Sequence, residues 1–157
     1  MMKLLLYIFL LISYGNAFTQ TEINWLNFEQ LEVKLKEETK PVLIYFYADW
    51  CAYCKKMDRH AFKDQKVIQL LAKDFYAVKM NAETKDEIVF DGAIFINDEV
   101  ETHRNPTHQL AKLFASRKNE AFSLPALILL NKNFKVIDRK FSYLTSNKML
   151  DFLKYSR

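Results

Sequence analysis

The sequence predicts an α/β domain, a mixed β-sheet flanked by helices on both faces, with an inserted β-hairpin and loop. Three observations predict it. Short runs rich in β-branched and aromatic residues, "VLIYFYA", "FYAVKMNA" and "LPALILL", are apolar almost throughout, as strands buried on both faces are. Stretches with apolar residues three and four apart separate them, which is the period of amphipathic helices. Finally, the order begins as helix, strand, helix, strand and ends as helix, strand, strand, helix. Parallel crossovers therefore come first, and an antiparallel pair closes the chain.

Along the chain, "INWLNFEQLEVKLKEETK" (23–40) spaces Trp25, Leu26, Phe28, Leu31, Val33 and Leu35 as one helix face. Pro41 opens the first strand, 42–48, at a position where its missing N–H costs nothing. The segments "KKMDRHAF" and "DQKVIQLLAKD" read as helix with a break near Asp64, and 75–82 reads as the second strand. The segment 87–97 alternates around Asp91-Gly92, a hairpin-turn pair. "NDEVETHRNPTH" is polar and reads as loop. Asn105-Pro106 reads as a helix start, a capping side chain followed by proline at the first helical position, with "THQLAKLFAS" as the helix. Strands at 124–130 and 134–141 come next, and Asn131 and Asn133 suit a left-handed turn between them. "TSNKMLDFLKYS" closes the chain as an amphipathic helix.

The length of 157 residues, 50% of them apolar and 27% charged, fits one globular domain able to bury a core. The net charge of +4 comes from interleaved signs, as in "KLKEETK". No basic run or aromatic–basic array points to nucleic acid. The first residues differ in kind. Lys3, the apolar run 4–12, and small residues Gly15 and Ala17 have the form of a secretory signal peptide, residues 1–17, cleaved after Ala17. The run is short for a bilayer span, which needs about 20 apolar residues. Residues 18–157 are then one domain, soluble after cleavage and periplasmic or otherwise extracytoplasmic. Residues 83–106 are an insert within it, either a docking surface or a hairpin that extends or covers a sheet edge.

"ADWCAYCKKM" holds both cysteines, Cys51 and Cys54. Outside the cytosol such a pair can oxidise and remain so. Strand before and helix after put Cys51 at a helix N-terminus, where unpaired N–H groups and the helix dipole favour a thiolate. Lys55 and Lys56 add positive charge. Cys54, one turn on, lies on the same side, so the two sulfurs can meet in a disulfide. Met57 and Ala61 continue its helical spacing towards the core. Cys51 is thus the exposed attacking thiol and Cys54 the shielded resolving one, together the catalytic pair. Two other readings stay open: a structural disulfide, weak because its loop is so short, and a zinc site drawing on His60, His103 or His108.

At these residues "KPVLIYFYADWCAYCKKM" resembles the thioredoxin family, closest to exported thioredoxin-like domains such as the periplasmic C-terminal domains of membrane thiol reductases. The resemblance continues through "FKDQKVIQLLAKDFYAVKMNAE" and resumes at "LPALILLNKNFKVIDRKF". It implies a thioredoxin fold and a cis peptide bond before Pro125, facing the disulfide. It also implies that the backbone of Leu124 is open for pairing with a substrate chain and that Trp50 flanks the site. Trp50, Leu124 and Pro125 are therefore the substrate-binding candidates. Tyr45 stands where many members carry a buried proton-moving aspartate, with Asp49 near in sequence, and Ser142 stands where a glycine is usual. The implied function is thiol–disulfide exchange, in the reducing direction, on protein disulfides. A membrane thiol carrier would supply electrons, and no metal or organic cofactor is required. A thioredoxin-fold adaptor with an inert disulfide is the alternative.

Overall fold

The structure is a computed structural model that describes residues 21–154; the signal segment 1–17 lies outside the described residues. Strand β1 is Trp25–Leu26, helix α1 is Phe28–Glu37 and strand β2 is Val42–Tyr47. The helix expected from Ile23 begins only at Phe28, because Asn27 caps it. The Asn27 side chain accepts the Gln30 N–H at 2.7 Å, and the Gln30 side chain accepts the Asn27 N–H at 2.9 Å. That reciprocal box frees Trp25 and Leu26 to pair, in parallel, with Ala77 and Val78.

Helix α2, Ala52–Arg59, comes directly after Cys51, and a 3-10 turn at Ala61–Lys63 separates it from helix α3, Gln65–Asp74. The break near Asp64 has a clear cause: the Asp64 carboxylate caps α3 by accepting the Lys66 N–H at 2.9 Å. Strand β3 is Tyr76–Asn81, β4 is Ile88–Phe90 and β5 is Ala93–Phe95; helix α4 is Gln109–Ala115, β6 is Ala126–Leu130, β7 is Val136–Lys140 and helix α5 is Ser146–Lys154.

The main sheet runs β1-β3-β2-β6-β7. β2 lies parallel to β3 and antiparallel to β6, with Val42 opposite both Tyr76 and Leu130. Side chains of β2 alternate between two half-cores. Val42, Ile44 and Phe46 pack with Phe28 and Leu31 of α1 and with Leu110 and Phe114 of α4. Leu43 and Tyr45 pack with Cys54 and Met57 of α2, Leu71 of α3, and Phe152 of α5. Helices therefore cover both faces, and this is the thioredoxin fold.

Two local expectations are corrected, and a third is narrowed. Asn105-Pro106 does not start α4. Its cap is His108, whose ring nitrogen accepts the Leu110 N–H at 3.2 Å, while Glu99 and Asn97 hold the preceding residues as loop, at the Thr107 N–H and the Pro106 carbonyl respectively. The left-handed backbone of the β6–β7 turn falls on Phe134 (φ 57°), not on an asparagine. Asn131 serves instead as acceptor for the N–H groups of Asn133 and Lys135, and the Phe134 ring packs 5.7 Å from Phe90. The hairpin β4–β5 forms its own two-stranded sheet rather than extending the main one. It turns at Asp91 (φ 51°) and Gly92 (φ 72°), as a type I′ turn requires, and drops Phe90 against Phe28 at 5.1 Å.

Candidate active site

The end of β2 and the start of β6 are brought together by their antiparallel register, in which Phe46 faces Ala126. The chain leaving β2 carries Trp50, Cys51 and Cys54; the chain entering β6 carries Leu124 and Pro125. The Leu124–Pro125 bond is cis. Leu124 is half-buried and packs against both half-cores, including the one that holds the two cysteines.

Cys51 is the N-cap of α2, with extended backbone (φ −70°, ψ 100°). Its carbonyl accepts the Lys55 N–H at 3.1 Å, its own N–H reaches the Ala48 carbonyl at 3.0 Å, and its sulfur accepts the Cys54 N–H at 3.1 Å. The sulfur thus takes the place that an aspartate or serine oxygen fills at other helix starts, among the orphan N–H groups of the first turn. Cys51 and Cys54 are joined as a disulfide, with Cα atoms 5.2 Å apart. Cys54 and Met57 form the buried face of the helix, while Ala52, Tyr53, Lys55 and Lys56 face out.

One expectation changes here. Cys51 is only 3% exposed in the disulfide, close to the 1% of Cys54, so it is not an open sulfur in this state. The exposed groups are its aromatic neighbours, Trp50 at 58% and Tyr53 at 62%. Trp50 donates its indole N–H to a Glu83 carboxylate oxygen at 2.8 Å. The Tyr53 ring lies 6.4 Å from that of Tyr143, over which Lys56 places its ammonium at 4.6 Å.

Beneath the helix, Tyr45 is fully buried, and its hydroxyl has no hydrogen-bond partner among the described residues. Burial first, then the charge of Asp58, pushes its pKa above the ordinary tyrosine value, so the phenol stays protonated. Asp49 is exposed. The carboxylate on the inner side is Asp58, one helical turn beyond Cys54. It forms an ion pair with Lys79 of β3 at 2.9 Å. The Lys79 ammonium also lies over the rings of Tyr47, Tyr45 and Trp25, at 4.7, 5.4 and 5.8 Å. Sequence reasoning missed Asp58 and Lys79. The i,i+4 spacing from Cys54 to Asp58 was the one signal that could have found them.

The candidate zinc ligands do not converge. His60 and His103 are exposed, and the buried His108 ring is held by the Leu110 N–H and the Asp86 carbonyl. Among the described residues no group of three or more His, Cys, Asp or Glu forms a metal site. Among them also, no helix is long and apolar enough to cross a membrane.

The family model described as a thioredoxin-like domain matches residues 28–157. Thiol:disulfide interchange protein DsbD of Campylobacter jejuni strain RM1221 is 44% identical over 43 residues, 27% of this chain and 8% of that protein. DsbD of Escherichia coli O6:K15:H31 is 31% identical over 81 residues, 47% of this chain and 14% of that protein. The chain thus spans only a small part of the curated relatives it matches. Among solved structures, the oxidised C-terminal domain of Neisseria meningitidis DsbD superposes with a TM-score of 0.55 at 21% identity, covering 82% of this chain and 91% of that one. A structure described as DsbH oxidoreductase superposes with a TM-score of 0.60 at 16% identity, covering 92% and 90%.

Proposed function

The chain belongs to the thioredoxin-like domain family, and on that premise we propose that it is an exported thiol–disulfide oxidoreductase that reduces protein disulfides through Cys51 and Cys54. The observation that carries this reading is the Cys51–Cys54 disulfide at the start of α2, beside the cis Leu124–Pro125 bond.

In the reduced domain, the Cys51 thiolate attacks one sulfur of a substrate disulfide. The substrate S–S bond breaks, a mixed disulfide with Cys51 forms, and the leaving thiolate takes up a proton. Cys54 then loses its proton and attacks the Cys51 sulfur. The second substrate thiolate departs, and the domain is left with the Cys51–Cys54 disulfide. Two electrons pass from domain to substrate, so a dithiol donor must return two, a role that suits a thiol carrier in the membrane. Asp58 is the carboxylate on the Cys54 face of α2, and we assign it the proton leaving Cys54. Exposed Trp50 and half-buried Leu124, with Pro125 buried behind them, would be the surface against which a substrate chain lies. The apolar run at 4–12 supports export to the periplasm or an equivalent compartment.

The test is the equilibrium potential of the Cys51–Cys54 couple against glutathione or dithiothreitol. A value near the roughly −270 mV of thioredoxin supports a reductase, and one near about −120 mV makes the protein an oxidant. Failure to equilibrate within minutes overturns the enzymatic reading. Val89 and Ile94, paired and exposed on the hairpin, favour a second reading, an adaptor that holds a partner there. An adaptor keeps its partner after Cys51→Ala, whereas an enzyme loses its clients.

A further inference from the structure

A groove with room for about 140 Å³ is lined by Trp50, Phe122, Ser123 and Leu124, and Leu124 also packs against the cluster that holds the two cysteines. Its remaining wall comes from both ends of the 83–106 insert: Glu83 where the insert leaves β3, and Asn105 and Thr107 where it returns. These walls are fixed. The Glu83 N–H is held by the Asn81 side chain at 2.9 Å, and the Thr107 N–H by the Glu99 carboxylate at 2.8 Å. The insert therefore builds one side of a groove whose other walls are Trp50, the residue before Cys51, and Leu124, the residue before the cis proline.

Among the described residues, Glu83 is the one charged side chain in the groove wall. One of its oxygens accepts the Trp50 indole N–H at 2.8 Å, which ties the carboxylate to the aromatic wall of the groove. Behind the wall, at Ser123, lies the cation Arg117, whose terminal nitrogens are engaged elsewhere while its buried Nε has no partner among the described residues. Arg117 pairs with Glu120, donates to the Ala121 carbonyl and the Ser123 hydroxyl, and lies 4.0 Å from the Phe141 ring. The insert's own charges have the same sign as Glu83, although Asp98 and Glu99 pair with Lys112. Residues 83–106 carry seven acids against two bases, Lys85 and Arg104, in a chain whose net charge is +4.

Given the oxidoreductase reading, on which this step rests, we infer that the groove is a specificity subsite for a cationic side chain, arginine above all, flanking the reactive cysteine of the client. A guanidinium can meet a carboxylate with paired N–H donors while its plane lies against an aromatic ring. Here the carboxylate is Glu83 and the rings are Trp50 and Phe122. An acidic side chain in the same place meets Glu83 as a like charge, and an alanine leaves the groove empty.

The test uses three disulfide-bonded peptides identical except for Arg, Ala or Glu beside the cysteine, and the pre-reduced protein in single-turnover reduction. The same peptides with serine for cysteine report binding through the change in tryptophan fluorescence, read in a Trp25→Phe background that leaves Trp50 as the one fluorescent indole. The Arg peptide should be preferred to the Glu peptide about fivefold to tenfold in both readouts, with the preference shrinking as salt rises. Glu83→Gln keeps an acceptor for the Trp50 indole but removes the charge, and should abolish the preference; Glu83→Lys should invert it. If the Glu83 variants do not fold, Asn105→Lys at the exposed groove rim should reverse the order instead. Equal reduction and equal binding of the three peptides overturns the subsite and leaves the enzyme standing. Selective binding of the Arg peptide without reduction supports the subsite and overturns the enzyme. A preference that survives Glu83→Gln unchanged also overturns the subsite.

Discussion

The backbone N–H of Cys54 points at the sulfur of Cys51, 3.1 Å away, so the second cysteine helps to hold charge on the first. Once the disulfide is reduced, that donor and the α2 dipole stabilise a thiolate at Cys51. Cys54→Ala keeps the N–H while removing the competing thiol. In that variant, iodoacetamide should alkylate Cys51 with a pH midpoint below the ordinary thiol value of about 8.5. A midpoint at or above that value would remove the basis for an attacking Cys51. The same variant should accumulate mixed disulfides with client proteins.

Asp58 and Tyr45 should separate in their effects. Asp58→Asn removes the carboxylate one turn from Cys54 and should slow resolution of the mixed disulfide about tenfold at pH 7. That lies below the usual range for a proton-transfer group, since Asp58 is a third exposed and water can substitute. Tyr45→Phe removes a buried hydroxyl with no partner among the described residues. It should raise stability by about 1 kcal/mol, read as a higher urea midpoint of the oxidised protein, with resolution unchanged. A slower resolution step in Tyr45→Phe would move the proton-transfer role to the phenol.

His108 should make stability fall as pH drops below the ordinary histidine value of about 6.5. Its Nδ1 accepts the Leu110 N–H and its Nε2–H faces the Asp86 carbonyl at 3.1 Å, so the fold holds the neutral ring. Burial lowers its pKa from the ordinary value. The unfolded chain then binds the proton more readily than the folded one. The stabilisation is complete above the unfolded value of about 6.5 and is lost as pH falls towards the lower folded pKa. Urea midpoints should decline over that window in the native protein and stay flat in His108→Asn, which keeps a capping oxygen. The carboxylates whose pKa values are lowered, Glu32, Asp98 and Glu99 among them, act further down in pH.

Gly92→Ala should cost about 1 kcal/mol through the backbone alone, because φ is +72° and a Cβ there meets no atom within 4 Å. The loss should appear in the urea midpoint, with the rate of disulfide reduction unchanged. A loss of several kcal/mol would show that the hairpin tip is packed in solution.

Much of the fold was legible because apolar pattern and geometry agree. β2 and β6 are buried on both sides and read as continuous apolar runs; Asp91-Gly92 supplied the positive φ angles its turn needs; strand–Cys–helix order placed Cys51 at the cap. The illegible parts rest on contacts between distant residues. Trp25 and Leu26 share the helical spacing of Phe28 and Leu31, and only pairing with β3 makes them a strand. Cys51 is buried in a cluster that Leu127, Met149 and Phe152 complete from far along the chain. Phe134 takes a left-handed backbone because its ring is wanted against Phe90 and Phe114. Glu83 and Lys79 join the site only through Trp50 and Asp58, partners 33 and 21 residues away.

Neighbouring residues of β2 belong to opposite compartments, Ile44 to the one under the hairpin and Tyr45 to the one under the cysteines. Substitutions in that strand are thus felt on one side at a time. A single-residue deletion is different in kind, because it transposes every later side chain to the wrong compartment at once. In a mutational scan, β2 should therefore accept many conservative exchanges and almost no change of length.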